Sequence, residues 1–277
     1  MKSLKGKVAL VTGGSRGAGR GIAIELGKAG ATVYITGRSV KGASTNQWPG
    51  TIDDTVSQIE AHGGKGIAIQ CDHTHDSETE AVINKIRTEE GQLDVLVNNV
   101  WGAHDLSIDA KPFWDLSLQN WDTMFTAGVR AQLATNYFAM PLLRENNQAL
   151  IIHTTFWDDD KYIGHFYYDL AKHSLIRMAH GLSIELKTDN IAVLAVSPGF
   201  MRTELVLKYH ELDEKHWQKA EELTGSETPH YVGRGILALA SDPNVMEKSG
   251  KVFKVGDLAK EYQFSDIDGR YIPPFTL

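Results

Sequence analysis

Short apolar runs alternate along this chain with longer stretches in which apolar positions recur at helical spacing. The first run, Lys7 to Thr12, leads into glycines and then into a helix-like stretch over Gly21 to Ala29. Further runs at Thr32 to Thr36, Gly66 to Gln70, Leu93 to Val97, Ala149 to His153, Ile191 to Val196 and Lys251 to Val255 bring the predicted strands to seven. Long helical candidates fall near 76–90, 119–145, 164–187 and 228–241. The runs at 93–97 and 191–196 are almost continuously apolar, as in strands covered by helices on both faces. Strand and helix in alternation predict βαβ units with right-handed crossovers, and so an α/β protein with a doubly wound parallel sheet of about seven strands. Ligands of such sheets sit beyond the carboxyl ends of the strands, which is where chemistry is to be sought. No repeat or linker marks a boundary, so residues 1–277 read as one domain. Within it, 203–227, with Glu204, Glu211, Asp213 and Glu214 among aromatics, reads as an amphipathic insertion suited to a substrate lid. The tail 257–277 shows little periodicity.

Composition narrows the class. A length of 277 residues with 42% hydrophobic and 23% charged side chains is ordinary for a globular fold with a sizeable core. The net charge of −7 and the lack of any Lys/Arg block argue against nucleic acid or an anionic membrane as partner. Cys71 is the single cysteine and has no internal partner, which fits a reducing compartment, the cytoplasm by default. No apolar stretch approaches a membrane span, and Val8 to Val11 runs into glycines rather than a cleavage site. The start, Met1 to Lys7, is a short basic lead-in.

The glycines after the first strand, in Thr12-Gly13-Gly14-Ser15-Arg16-Gly17-Ala18-Gly19, carry the first chemical signal. Glycine permits a tight turn and close approach of backbone to a pyrophosphate, and the helix that follows offers its N–H groups and positive dipole. Gly13, Ser15, Arg16, Gly17 and Gly19 are therefore candidate phosphate-binding residues. The Walker pattern and the strict G-x-G-x-x-G spacing are both absent. Gly13 to Gly17 also satisfies G-x-S-x-G, the hydrolase elbow, but an elbow on the first strand leaves no earlier strand to supply the second oxyanion donor. An ordinary turn without ligand is the other alternative. The second strand ends Ile35-Thr36-Gly37-Arg38-Ser39, with no acid to bind a ribose 2′-hydroxyl. Arg38, with Arg16 in reach, suits a 2′-phosphate, so NADP(H) is favoured over NAD(H).

Tyr168 and Lys172 stand one helical turn apart and share a face. A neighbouring ammonium is expected to lower the phenol's pKa towards neutrality, where it exchanges a proton with a carbonyl or hydroxyl. With the glycine turn, Asn98-Asn99 and Ser197-Pro198-Gly199, in this order, the chain resembles the short-chain dehydrogenase/reductase family from Lys7 to about Val255. Segments such as Phe113-Trp114, Gly128-Val129-Arg130 and Asp266 to Arg270 resemble a mammalian branch of it. The resemblance implies a Rossmann-type sheet, NAD(P)(H)-dependent oxidoreduction of a small carbonyl or alcohol, and a homodimer or homotetramer. It implies that Tyr168 is the acid/base, that Lys172 holds the nicotinamide ribose, that Asp72 meets the adenine and that Asn98 sits beside the cofactor. Pro198, Gly199 and Thr203 would line its nicotinamide and pyrophosphate end.

Three positions depart from the family pattern. The substrate-orienting serine falls on Thr155, with Thr154 as the alternative; threonine keeps the hydroxyl and adds a methyl. The helix-interrupting asparagine falls on Gly128, whose carbonyl can still hold a relay water. The usual Asn-Asn-Ala-Gly reads Asn98-Asn99-Val100-Trp101-Gly102, which puts an indole near the nicotinamide. A cofactor-binding protein of reduced turnover, a sensor or scaffold, is therefore carried beside the reductase. Asp72-His73-Thr74-His75-Asp76 lacks the ligand count of a metal site, so none is expected. Asp158-Asp159-Asp160 reads as a solvated loop or a cation-facing rim. Trp101, Trp157, Phe166 and Tyr167 read equally as an aromatic pocket or as core, and His153 as structural.

Overall fold

The computed structural model describes residues 3–106, 108, 110–159 and 161–277; Met1 and Lys2 of the basic lead-in, and Asp160, lie outside them. In chain order the main elements are β1 (Val8–Val11), α1 (Gly17–Lys28), β2 (Thr32–Gly37), α2 (Ile52–Ala61), β3 (Lys65–Gln70), α3 (Asp76–Glu89) and β4 (Val95–Asn98). There follow α4 (Leu118–Phe125), a π-helical turn over Thr126–Arg130, α5 (Ala131–Leu143), β5 (Ala149–Thr154), α6 (Phe166–Glu185) and β6 (Ile191–Ser197). The chain closes with α7 (Glu204–Tyr209), α8 (Pro229–Ala240), β7 (Val252–Lys254) and α9 (Val255–Tyr262). Seven strands interleaved with helices make the Rossmann-type α/β class that the alternating pattern predicts. By contacts the described residues form two compact units.

The first unit comprises 1–70, 198–243 and 254–275. Its strands lie in the order β3-β2-β1, parallel, with Val8 opposite Thr32 and Tyr34 opposite Ile67. All four residues of β1 are buried, so the strand runs under cover into the glycine turn. Helix α1 meets α8 so closely that a Cβ on Gly21 would lie 2.0 Å from the Pro229 carbonyl oxygen. Helix α2 escaped the sequence pattern because only Ile52, Thr55 and Ile59 are buried on it; its start is a capping box between Thr51 and Asp54. The supposedly aperiodic tail begins with α9, whose Val255, Leu258 and Ala259 form a short buried stripe. The segment 203–227 contributes α7 and a small core of Leu207, Trp217 and Leu223. Beside it, buried Arg202 pairs with Glu214 and Asp268 at 2.9 and 2.8 Å and lies over the Trp217 ring.

The second unit comprises 71–197, 244–253 and 276–277, with β4-β5-β6 parallel and β7 beside β6. The run at 191–196 is buried throughout, as its continuous apolar character predicts. The predicted helix over 119–145 is interrupted: Gly128 lies in the π-helical turn between α4 and α5. Such turns widen a helix locally and occur often at functional sites. Among the described residues no helix is long and apolar enough to cross a membrane.

Candidate active site

In the first unit the carboxyl ends of β1 and β2 carry the phosphate-binding candidates. Gly13 and Gly17 hold φ of 68° and 53°, the left-handed region that glycine enters freely, so the chain reverses into α1 without strain. The turn is fixed from both sides: Gly14 N–H donates to the Thr36 carbonyl at 2.9 Å, and the Thr55 hydroxyl donates to the Gly14 carbonyl at 2.8 Å. Ser15 lies in the same turn, against Gly37, and Gly19 in the first turn of α1. Arg16 donates to the Ser39 hydroxyl at 2.8 Å and the Gly50 carbonyl at 3.0 Å, and its guanidinium lies over Trp48. Its buried Nε has no partner. Burial, opposed by Glu204 and reinforced by the neighbouring Arg38 cation, lowers the Arg16 pKa. Two arginines meeting at this corner, one with an orphaned donor, fit an anion.

An anion from the chain itself stands at the start of α1. Glu204 accepts from Gly17 N–H at 2.8 Å and from Arg20 at 3.2 Å, while Thr203 caps α7 and its methyl carbon lies 3.5 Å from a Cβ placed on Gly17. Pro198 and Gly199 open the loop that leads there. Gly199 N–H donates to Glu227, whose Oε2 is 2.9 Å from a Cβ placed on that glycine. Burial above all, with Asp266 adding and Arg202 opposing, pushes the Glu227 carboxyl up to about 8, and its Oε1 has no partner. Neither glutamate stands in a recognisable motif, so sequence reasoning missed both roles.

The second unit holds the other cluster. His165 caps α6, its Nδ1 accepting from Tyr168 N–H at 3.2 Å, which sets the phenol's turn of helix. Lys172 Nζ lies 5.6 Å from the centre of the Tyr168 ring and 4.0 Å from that of Trp101, and the two rings meet edge to face at 5.5 Å. The Thr155 hydroxyl donates to the Lys172 carbonyl at 2.7 Å, so in this state it braces the lysine's turn of helix. Thr154 turns instead to Asn99 Oδ1 at 3.2 Å. One expectation is corrected here: burial pushes the Tyr168 phenol upward, not towards neutrality, and lowers Lys172 to about 8. Lys172 stands beside the phenol's ring, and desolvation by burial sets the direction for both groups.

Around this cluster a polar network fixes the end of β4. Asn98 donates to Asn136 at 2.7 Å, Asn136 to His153 Nε2 at 3.2 Å, and His153 Nδ1 meets Gln132 Oε1 at 2.7 Å. Burial lowers His153 to about 3, so it is neutral and structural, as its position predicts. Asn98 Oδ1 is buried without a partner. Asp72 accepts from Thr74 N–H and hydroxyl at 3.0 and 2.7 Å, turning the chain into α3, and His73 is buried against Thr79. Among the described residues no group of His, Cys, Asp or Glu is placed to hold a metal. Asp158 departs from the solvated-loop reading: it is fully buried, accepting from Leu277 N–H at 2.6 Å and Lys161 at 3.2 Å. Of the flanking aromatics, Tyr167 is core with Met124 and Ala171, and Trp101 packs on the edge of that cluster beside Tyr168.

Comparison with known proteins agrees with this picture. Residues 7–214 match the family described as short chain dehydrogenase. Dehydrogenase/reductase SDR family member 1 of Mus musculus is 31% identical over 280 residues, 98% of this chain and 87% of that protein. Its Homo sapiens counterpart is 32% identical over 282 residues, with the same coverage. A short chain dehydrogenase from Mycobacterium thermoresistibile superposes with a TM-score of 0.83 over 99% of this chain and 93% of its own, at 24% identity. A 7 alpha-hydroxysteroid dehydrogenase in complex with NADH and 7-oxo glycochenodeoxycholic acid gives 0.74 over 91% and 93%, also at 24% identity. The last two likenesses concern the fold.

Proposed function

This chain belongs to the short chain dehydrogenase family, oxidoreductases that use an NAD(P)-type nucleotide, and from that premise we propose that it is an NADP(H)-dependent carbonyl reductase, or alcohol dehydrogenase in reverse. The observation that carries the reading is Tyr168 and Lys172 on one face of α6, the ammonium beside the phenol ring. Gly13, Ser15, Arg16, Gly17, Gly19, Pro198, Gly199 and Thr203 are the proposed contacts of the nucleotide's phosphates and nicotinamide end, Asp72 that of its adenine, and Asn98 a neighbour of the cofactor beyond β4. Arg38 and the orphaned Nε of Arg16 favour a 2′-phosphate.

When bound, the nucleotide supplies or accepts a hydride at its nicotinamide ring. The protein's part is the proton. Burial keeps the Tyr168 phenol protonated, and so able to donate to the carbonyl oxygen in the reducing direction, but by itself makes it a weaker acid. Lys172 then stabilises the phenolate left behind, since the charge that burial disfavours gains a nearby ammonium. Thr155 orients the carbonyl by rotating its hydroxyl off the Lys172 backbone, which motivates a narrower and slower site than serine would make. Exposed Leu133 and Tyr137 on α5, and Ile184 on α6, support association of copies as a homodimer or homotetramer.

NADPH oxidation over a panel of aldehydes and ketones tests the reading. Tyr168→Phe is expected to lose about 10²–10⁴-fold in kcat while still binding NADPH. If wild type and variant oxidise NADPH equally slowly on every compound, the rival reading stands: a cofactor-binding sensor or scaffold, favoured by Gly128 and by the engaged Thr155 hydroxyl. Arg38→Asp is expected to weaken NADPH about 10- to 100-fold with little loss for NADH, by fluorescence titration. A wild type that prefers NADH overturns the nucleotide assignment.

A further inference from the structure

The indole of Trp101 is clamped between a glycine and a lysine. A Cβ on Gly128 would lie 2.5 Å from Trp101 Cζ3 and 2.6 Å from Cε3, closer than any carbon contact allows, so the ring fills the space that a side chain at 128 would need. On the ring lies Lys172 Nζ, 4.0 Å from its centre, and Tyr168 meets its edge. Gly128 is the buried residue of its π-helical turn, and Arg130 of the same turn is exposed and paired with Asp76. Among the described residues no carboxylate pairs with Lys172, and burial alone lowers its pKa; the titrating group beside it is Tyr168 on the same helix.

We propose that Trp101, seated on Gly128, is a positioning residue that holds the Lys172 ammonium by its π face, in the space that glycine at 128 leaves open. The inference rests on the reductase reading for its catalytic meaning. Its physics stands alone: an ammonium within about 6 Å of an indole face is attracted by the ring's quadrupole, most strongly where water is excluded. Residues 101 and 128 are therefore coupled. Each restricts the other, since the ring needs the glycine and the glycine leaves the lysine to the ring.

The test reads Lys172 directly, by titrating 13Cε-labelled lysine in the full-length protein by NMR, with Lys172→Arg assigning the signal. Wild type is expected to titrate near 8. Trp101→Leu should lower that midpoint by about 0.4–1.5 pH units, because the charged form loses its partner. Trp101→Phe, which keeps a π face, should recover at least half of the difference. Gly128→Ala should displace the ring and reproduce the shift of Trp101→Leu, and the double variant should shift no further than either single one. Midpoints unchanged in Trp101→Leu and Gly128→Ala, or shifts that add in the double variant, overturn the proposal. In kinetics the alkaline limb of kcat should move with the same midpoint while NADPH affinity changes less than threefold. A wild type that reduces nothing refutes the reductase reading, and the titration still decides on Trp101.

Discussion

Glu227→Gln removes an ionisable group that the fold buries and keeps its shape, so its effect on stability can be worked out before it is measured. The carboxyl is pushed from an ordinary 4.5 up to about 8, chiefly by burial. A group whose folded pKa is raised holds its proton more tightly when folded, so its stabilising contribution is complete below about 4.5 and is lost as pH rises towards 8. Taking those two values, wild type should lose about 2–3 kcal/mol between pH 5 and pH 7 through this residue alone. Glutamine cannot ionise, and its carbonyl can still accept from Gly199 N–H. Urea unfolding of both proteins at pH 5, 6, 7 and 8 gives the comparison. Glutamine should gain on wild type at each step, and the subtraction cancels the other titrating groups apart from those coupled to Glu227, namely Asp266, Arg202 and Tyr231. A stability difference that stays constant from pH 5 to pH 8 would refute a raised pKa here.

Two further outcomes are expected. Glu204→Gln takes a carboxylate from the start of α1, where it accepts from Gly17 N–H and pairs with Arg20; the thermal midpoint should fall by about 1–3 °C, and NADPH should bind severalfold tighter by fluorescence titration, as a resident negative charge no longer competes for the same N–H groups. Gly21→Ala forces a methyl into the Pro229 carbonyl, so α1 and α8 must separate; calorimetry should show a loss of about 1–3 kcal/mol or more, and an unaltered midpoint would contradict the close approach.

The seven strands were legible because each is a run of three to seven residues marked by its own apolar content, and the glycine turn and the Tyr168 and Lys172 pair because their chemistry depends on spacing along one element. Helix α2 was not, since three buried positions among ten leave too faint a stripe, and α9 was hidden by its brevity. The interruption at Gly128 showed in sequence only as a departure from a family pattern.

By itself, then, the sequence determined the class of fold, the order of its strands and the residue types available for a nucleotide and a proton. Tertiary structure decided what those residues face. Glu204 reaches Gly17 across 187 positions, Thr155 gives its hydroxyl to the Lys172 backbone, and the Trp101 ring takes the space above Gly128. Burial then set the direction of each pKa, raising Tyr168 where the neighbouring lysine alone predicts a fall. Periodicity records which face of an element is dry, whereas partners and solvation are settled only when distant segments pack.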